Sequence, residues 1–423
     1  MTLPTTLADW LAHIERQHPS AIAMGLERVR EVADRLGIGR PARQVITVAG
    51  TNGKGSTVAF IEAIARAGGW TVGAYTSPHL QRYNERVRIE GEEAGDAALV
   101  EAFAAVEAAR GATALTYFEY GTLATLWLFQ RADLDLAVLE VGLGGRLDAV
   151  NVVDPDVAVI TTVDIDHTDW LGSDREAIGA EKAGIARPWK PLVLGEIDSP
   201  SSVLRRAYLI GANALRLGSD FFHEPVDDAH WRWREVGAEL LLPMPRLRAP
   251  VQRANAATAI AALRALETQL PEQAFAQGVA TASLPGRLQQ VERDGVAVLV
   301  DVGHNPQAAR ELAAWLAQQP GEGRTVAVFA ALADKDAEAV VQALAPQVAR
   351  WHLAGLADAA RGQDADALAA RLAATAAGGG ERHPDVRSAL DAALAAAEPG
   401  DRVLVFGSFH TAAAALDALH SVR

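Results

Sequence analysis

The chain has 423 residues, half of them hydrophobic, with 39 basic against 53 acidic side chains, a formal net charge of −14 and no cysteine. That length exceeds one compact core at ~100–200 residues per domain, so two domains are expected, or three. The acid excess argues against a nucleic-acid partner, and the missing cysteine excludes disulfides, thiolate catalysis and thiolate-held zinc.

The opening stretch "MTLPTTLADWLAHIERQHP" puts acids and a proline where a signal peptide has a basic stub and an apolar core. No apolar run reaches the ~18 residues of a membrane span. A cytoplasmic chain with no membrane partner is expected.

The first strand signal is "QVITVAG" (44–50), followed by "STVAFIEAIARAGG" (56–69), in which Val58, Ile61, Ile64 and Ala65 share a helical face. Between them lies Gly50-Thr51-Asn52-Gly53-Lys54-Gly55-Ser56. A glycine-rich turn between strand and helix lets backbone N–H groups converge on phosphate oxygens, and the helix N-terminus adds favourable potential. Lys54 would reach the outer phosphates and the Ser56 hydroxyl would ligate Mg²⁺. The spacing GxxGKGS is shorter than GxxxxGK[ST], and the alternative is a plain glycine-rich turn.

Further buried strands read from "LDLAVLEVG" (134–142), "VAVITTVD" (157–164) and "PLVLGE" (191–196). Strands alternating with helices imply a parallel sheet. Glu140 closes the run "LAVLE", where an acid at the carboxyl end of a parallel strand faces the ligand crevice; a metal contact or an ion pair with an arginine would each account for it. "VDIDHTDWLG" (163–172) brings Asp164, Asp166, His167 and Asp169 to the same rim. His167 fits a metal or phosphate contact or a hydrogen-bonded structural histidine. Lys182, in "EKAGIARP", reads by itself as a surface lysine on a helix.

The alternation blurs over 215–250, where "HWRWREVGAELLLPMPRLRAP" suggests short antiparallel strands, and a helix follows at 255–270. After "LPGR" (284–287) it restarts with "VAVLVDVG", "RTVAVFAALADKD", "RWHLAGL" and "DRVLVFGSFH", a second and smaller α/β domain. Asp301, in "DVGHNP", would take ribose hydroxyls or cap the next helix. "FGSFHTAAAAL" (406–416) is again strand, turn and helix, and would bind an anion at the helix N-terminus or serve only as a turn.

Taken in order, "VAGTNGKGS", "YTSPHLQRYNERVRIEG", "LTYFEYGTLATLWLF", "LEVGLGGRLDAVNVVD", "DHTDWLG", "EKAGI", "NAATA", "LPGR", "DVGHNP" and "GSFHT" resemble folylpolyglutamate synthase. The match is to the bacterial bifunctional form that is also dihydrofolate synthase, grouped with the muramyl-peptide ligases. The resemblance implies an α/β, Mur-ligase-like fold: an N-terminal P-loop ATPase domain with a parallel-rich central sheet, and a smaller C-terminal Rossmann-like α/β domain, with the active site between them. The expected boundaries are 1–287 for the ATP- and pterin-binding domain, 288–295 for a linker and 296–423 for the C-terminal domain.

The implied reaction is ATP-dependent amide formation through an acyl phosphate. Its substrates are ATP, L-glutamate, dihydropteroate and reduced folates, with one or two Mg²⁺ ions as cofactor and a monomeric enzyme. Thr51, Asn52, Gly53, Lys54, Gly55 and Ser56 hold ATP by this resemblance, with Asn255, Arg287 and Asp301 at the remaining nucleotide positions. Ser56, Ser77, Glu140, His167 and Lys182 form the metal site, Lys182 as a carbamate, and Lys54, Lys182 and His167 are the catalytic set. Pterin contacts fall on Ile22, Ala23 and Met24, on Thr116, Tyr117, Phe118 and Glu119, and on Leu147, Asp148 and Ala149. Ala23 stands where bifunctional members often have an acid, and Val150 replaces the threonine of "GRLDATN"; both bear on the acceptor. The alternatives are extension of folates alone, a ligase for UDP-muramyl peptides, and a nucleotide-gated switch without ligase chemistry.

Overall fold

The computed structural model describes residues 3–18, 23–319, 323–357, 359 and 361–421. The chain divides into two compact units, Met1–Arg246 with Gln252–Ser283, and Leu247–Val251 with Leu284–Arg423.

The first unit is built on β1 (Gln44–Ala49), β2 (Val72–Tyr75), β3 (Val87–Ile89), β4 (Glu92–Glu93), β5 (Leu136–Glu140), β6 (Val157–Ile160), β7 (Pro191–Leu194) and β8 (Asn213–Arg216). Their order is β4-β3-β2-β5-β1-β6-β7-β8. Pairing is parallel from β2 across to β8, and β3 and β4 add an antiparallel edge. Every residue of β5 and β6 is buried, which is why these strands read as unbroken apolar runs rather than alternating ones. The sheet is consolidated by a core that includes Tyr75, Phe103, Tyr120, Phe129 and Leu139. The chain leaves β1 for β2 on one side and later enters β6 on the other, so the carboxyl ends of β1, β5 and β6 meet where the strand order reverses. That is where open α/β sheets bind ligands.

The blurred stretch of sequence forms a three-stranded antiparallel sheet of β9 (Phe221–Pro225), β10 (His230–Glu235) and β11 (Ala238–Pro243). Strand alternation sends Trp231 and Trp233 inward, where both are fully buried. Their indole N–H groups donate to the carbonyls of Pro243 and Ala257, as buried tryptophans require. The helix expected at 255–270 is observed at Val251–Arg264.

The second unit contains β12 (Gln289–Arg293), β13 (Val296–Val300), β14 (Thr325–Phe329), β15 (Arg350–Ala354), β16 (Glu381–His383) and β17 (Arg402–Phe406), in the order β12-β13-β17-β14-β15-β16. Only β12 runs antiparallel, against β13. Its core includes Phe329, Trp351 and Phe406. The expected linker at 288–295 is therefore corrected. Residues 289–293 form a strand hydrogen-bonded along β13, and the alternation Gln-Gln-Val-Glu-Arg is too polar to announce an edge strand with one face in solvent.

Candidate functional site

β1 passes into the helix Lys54–Ala67 through Gly50–Gly53. Two of the glycines are required by space as well as by backbone. Gly50 has φ +153° and a Cβ there would lie 1.8 Å from Thr161 Oγ1; Gly53 has φ +85° and a Cβ would lie 2.6 Å from Asn255 Oδ1. The loop is fastened to the end of β6. The Thr51 amide donates to the Thr162 carbonyl (2.8 Å), the Asn52 amide to Thr162 Oγ1 (3.1 Å), and Thr161 Oγ1 to the Asn52 carbonyl (2.5 Å). Thr51 Oγ1 donates to the Asp164 carbonyl and accepts from the Asp164 amide, both at 3.0 Å. Lys54 Nζ folds back over the loop to the carbonyls of Gly50 (3.1 Å) and Thr51 (3.2 Å). No side chain caps this helix, so the first-turn N–H groups at Lys54, Gly55 and the buried Ser56 are not claimed by a cap.

Around this loop the strand ends deliver acids. Glu140, 4% exposed at the end of β5, accepts from the Ser77 amide at 3.1 Å through Oε2. Beyond β6, Asp164 and Asp166 accept from the amides of Ile165 and His167, each at 2.8 Å. His167 has φ +53° immediately before the short helix Thr168–Leu171, an uncommon conformation that repays a functional explanation. The tail carrying these groups is held from both sides. Glu196 accepts from the Val163 amide (3.0 Å) and Arg175 Nε donates to the Val163 carbonyl (2.8 Å), while Arg175 and Glu196 pair with each other at 3.3 Å. Burial pushes the Glu196 carboxyl up to about 7. This brace was not read from the sequence; the acid closing "PLVLGE" was its signal.

Lys182 ends the helix Arg175–Lys182 and is 3% exposed, which overturns the reading as a surface lysine. Burial first, and the nearby Lys54 charge second, push its amine down to about 7, while Asp166, Glu196 and Asp148 act the other way. Close to neutral pH a large fraction of this lysine is an uncharged nucleophile.

The glycine-rich segment after β5 draws several expected contacts together. A Cβ on Gly142 would lie 2.7 Å from Phe118 Cζ, one on Gly144 would lie 2.9 Å from Leu171 and 3.8 Å from Met24 Cε, and one on Gly145 would lie 3.0 Å from the Lys182 carbonyl. Asp148 organises the end of this segment, accepting from the amides of Leu143 (2.8 Å) and Val150 (3.1 Å). Burial pushes it up to about 7. Ala149 beside it is buried and Leu147 half-buried. Phe118 stacks on Tyr75 with ring centres 5.9 Å apart, and Arg86 lies over the rings of Tyr83 and Tyr117.

Thr116 and Glu119 are occupied differently from the expectation. Thr116 caps the helix Tyr117–Phe129, and the Glu119 carboxylate accepts in return from the Thr116 amide at 2.8 Å while pairing with Arg28 at 2.7 Å. This is a capping box, and T-x-x-E in "TYFE" is its sequence signature. Arg28 also donates to the Ala23 carbonyl at 3.0 Å, linking that turn to the same cap. Ile22 lies outside the described residues.

Asn255 belongs to the first unit, against Gly53, and its Nδ2 donates to Gln252 at 3.0 Å. Arg287 and Asp301 belong to the second unit, where the Arg287 guanidinium lies 5.4 Å from the Phe409 ring centre. Asp301 is buried and does not cap the next helix; it accepts from the amides of Leu288 (2.8 Å) and Gly303 (2.7 Å). The cap of the helix Pro306–Gln318 is Asn305, accepting from Ala308 at 3.0 Å. Likewise Ser408 caps the helix Phe409–His420 by accepting from Thr411 at 3.0 Å, the plain-turn alternative for "FGSFHT".

An open glycine loop with a lysine, set at the strand ends of a parallel sheet with their acids, together with a buried lysine whose amine burial pushes down, points to a nucleotide-using enzyme of the Mur ligase type. Two family models agree: the Mur ligase middle domain matches residues 48–205, and the Mur ligase glutamate ligase domain matches residues 286–409. A dihydrofolate synthase/folylpolyglutamate synthase of Escherichia coli is 47% identical over 99% of this chain and 96% of its own length. A solved structure of Escherichia coli FolC in complex with DHPP and ADP superposes with a TM-score of 0.94 at 47% identity, covering 99% of both chains. A bifunctional folylpolyglutamate synthase/dihydrofolate synthase with Mn, AMPPNP and L-glutamate bound gives 0.91 at 46% identity, covering 98% of both. The chain belongs to the dihydrofolate synthase/folylpolyglutamate synthase family.

Proposed function

We propose that this chain is an ATP-dependent ligase that joins the amine of L-glutamate to the carboxylate of dihydropteroate and to the γ-carboxylate of tetrahydrofolate. The observation that carries the reading is the uncapped helix N-terminus over which Lys54 folds, in the same unit as a buried Lys182 whose amine is held near neutrality. A carboxylate oxygen attacks the γ-phosphorus of ATP, the bond to ADP breaks, and an acyl phosphate forms. The glutamate nitrogen then attacks the acyl carbon, loses a proton, and expels inorganic phosphate. Anion meets anion in the first step, so catalysis is positioning and charge neutralisation.

In this reading the amides of Thr51–Ser56 and the Lys54 ammonium hold the polyphosphate, with Asn255 beside the loop, Arg287 at phosphate and Asp301 at ribose. The donor set suits Mg²⁺: the Ser56 hydroxyl and the Glu140 carboxylate are buried oxygen ligands at the loop and strand end, with Ser77 and His167 beside them. Lys182 would complete the set when its neutral amine nitrogen adds to CO₂ and releases a proton to water, leaving a carbamate whose carboxylate could ligate the ion. When bound, Mg²⁺ supplies neutralisation of the phosphate charge. Met24, Phe118 and the 142–149 segment line the acceptor side, with Thr116 and Glu119 acting there through the helix they cap. The enzyme works as a cytoplasmic monomer in this proposal; among the described residues no helix is long and apolar enough to cross a membrane.

The test is product analysis by mass spectrometry with ATP, Mg²⁺ and L-glutamate, offering each acceptor separately. Both should gain one glutamyl residue with stoichiometric ADP and phosphate. Extension of tetrahydrofolate without any reaction of dihydropteroate would reduce the activity to folate extension alone.

A further inference from the structure

The second unit holds a side-chain cluster that the ligase reaction does not use. β15 and β16 pair in parallel at the sheet edge, with His352 opposite Glu381 and Ala354 opposite His383. Alternation along a strand then puts His352, Glu381 and His383 on one face of the sheet. His352 is fully buried, and its Nδ1 lies 3.0 Å from His383 Nε2 and 3.8 Å from Glu381 Oε2. One ligand atom from each of the three residues lies within 4.8 Å of the others, and the two rings stack with centres 5.1 Å apart.

We propose that His352 Nδ1, His383 Nε2 and the Glu381 carboxylate form a binding site for one transition-metal cation of the zinc class. An ion bonded to two nitrogens at ~2.0–2.1 Å holds them roughly 3 to 3.4 Å apart for angles between ninety degrees and tetrahedral. A separation of up to ~4.1 Å is spanned by two such bonds, so both distances from His352 Nδ1 fall within reach of one ion. Glu381 is more than half exposed, so its carboxylate can swing to complete the set. Two imidazoles and one carboxylate suit zinc, cobalt or nickel, whereas magnesium prefers oxygen ligands throughout.

His352 Nε2 is buried without a hydrogen-bond partner, so the fold keeps an imidazole at a hydrophobic position while using only its Nδ1 side. β16 spans three residues at the sheet edge, and an ion would fasten it to β15.

The experiment uses the full chain stripped with EDTA and titrated with Co²⁺, read by visible absorption, and with Zn²⁺, read by thermal shift, in excess Mg²⁺ and ADP to occupy the ligase centre. Wild type should bind one Co²⁺ with bands of imidazole coordination, and Zn²⁺ should raise its melting temperature. His383→Gln should weaken Zn²⁺ by roughly ten- to a hundredfold, without loss of ligase turnover in EDTA-treated, Mg²⁺-supplied protein. Glu381→Gln, exposed and leaving both rings in place, covers the case in which the ring variant folds poorly, and it should weaken Zn²⁺ measurably. Unchanged Co²⁺ stoichiometry and Zn²⁺ affinity in both variants would overturn the site and leave a simple imidazole–imidazole hydrogen bond.

Discussion

Helices begin at the carboxyl ends of parallel strands in both units, yet they begin in opposite ways. After β1 the helix at Lys54 starts from a left-handed glycine with no capping side chain, and a lysine folds over the turn. After β13 and β17 the helices start from Asn305 and Ser408, whose side chains take the amides of Ala308 and Thr411. A capped helix has used part of its positive end on its own chain. An uncapped one beside a lysine keeps that potential for an external anion. The difference separates a nucleotide loop from structural turns that look alike as strand–turn–helix.

The largest expected effect is at Lys54. Lys54→Ala should lower ligase turnover by at least about a thousandfold, as removal of a charge-neutralising group in phosphoryl transfer does. Melting without ligand should move by no more than about 0.5 kcal/mol, because the ammonium is partly exposed and water can take its place at the loop carbonyls it bonds. A large stability loss would make the lysine a structural staple and erase the contrast with the capped helices.

Lys182→Ala should cost nearly as much, and millimolar acetate should restore part of the rate by replacing the carbamate carboxylate. Only the neutral amine reacts with CO₂, and the folded amine titrates near 7 against 10.5 for the ordinary group. At a fixed concentration of dissolved CO₂, reactivation of CO₂-depleted enzyme should therefore accelerate as pH rises through about 7 and level off above it. A rate still climbing towards pH 10 would mean an unshifted, exposed lysine.

Asp148→Asn should depress turnover by roughly ten- to a hundredfold, the cost of disturbing charge-assisted hydrogen bonds worth about 1.5–3 kcal/mol each. Both carboxylate oxygens serve the Leu143 and Val150 amides, so the loss should fall on both acceptors alike. A loss confined to dihydropteroate would instead assign Asp148 to the pterin ring itself.

The smallest effects belong to purely structural polar groups. Asn305→Ala should lower stability by about 1 kcal/mol, visible as a drop of a few degrees in melting temperature. Glu107 offers a pH signature. Arg110, Tyr120 and His13 hydrogen-bond its carboxylate and hold it near 2 in the folded state, against 4.5 for the ordinary group. Its stabilisation is therefore complete above about 4.5 and is lost as pH falls towards 2. Glu107→Gln should flatten the acid limb of stability in that window and leave neutral-pH turnover unchanged.

Much of this was legible in the chain. Buried parallel strands leave unbroken apolar runs, so β1, β5, β6, β7, β13, β14, β15 and β17 stand out, and a glycine-rich turn with one lysine marks the loop. Short or edge strands were not legible. β2 has four residues and includes Gly73, kept small because a Cβ would lie 2.5 Å from Leu134 and 2.9 Å from Phe129. β12, polar at four of its five positions, reads as a linker. Competition between neighbouring polar residues was also hidden: Asp301 and Asn305 are both capping types, and only the backbone path decides that Asn305 caps. The "TYFE" box carries the T-x-x-E cap signal in the same four residues that the resemblance assigns to the pterin. Lys182 is buried and Gly145 lies close against its backbone carbonyl, a long-range approach that no local pattern encodes.

The most direct test of the contrast between open and capped helix starts is calorimetric titration of Mg²⁺·ADP into wild type and Lys54→Ala. Phosphate binding by the uncapped loop predicts one site in wild type and at least about a tenfold weaker one in the variant, the equivalent of a charged hydrogen bond of about 1.5 kcal/mol or more. Equal affinity in the two proteins would contradict it, showing that the loop after β1 does not hold the nucleotide phosphates.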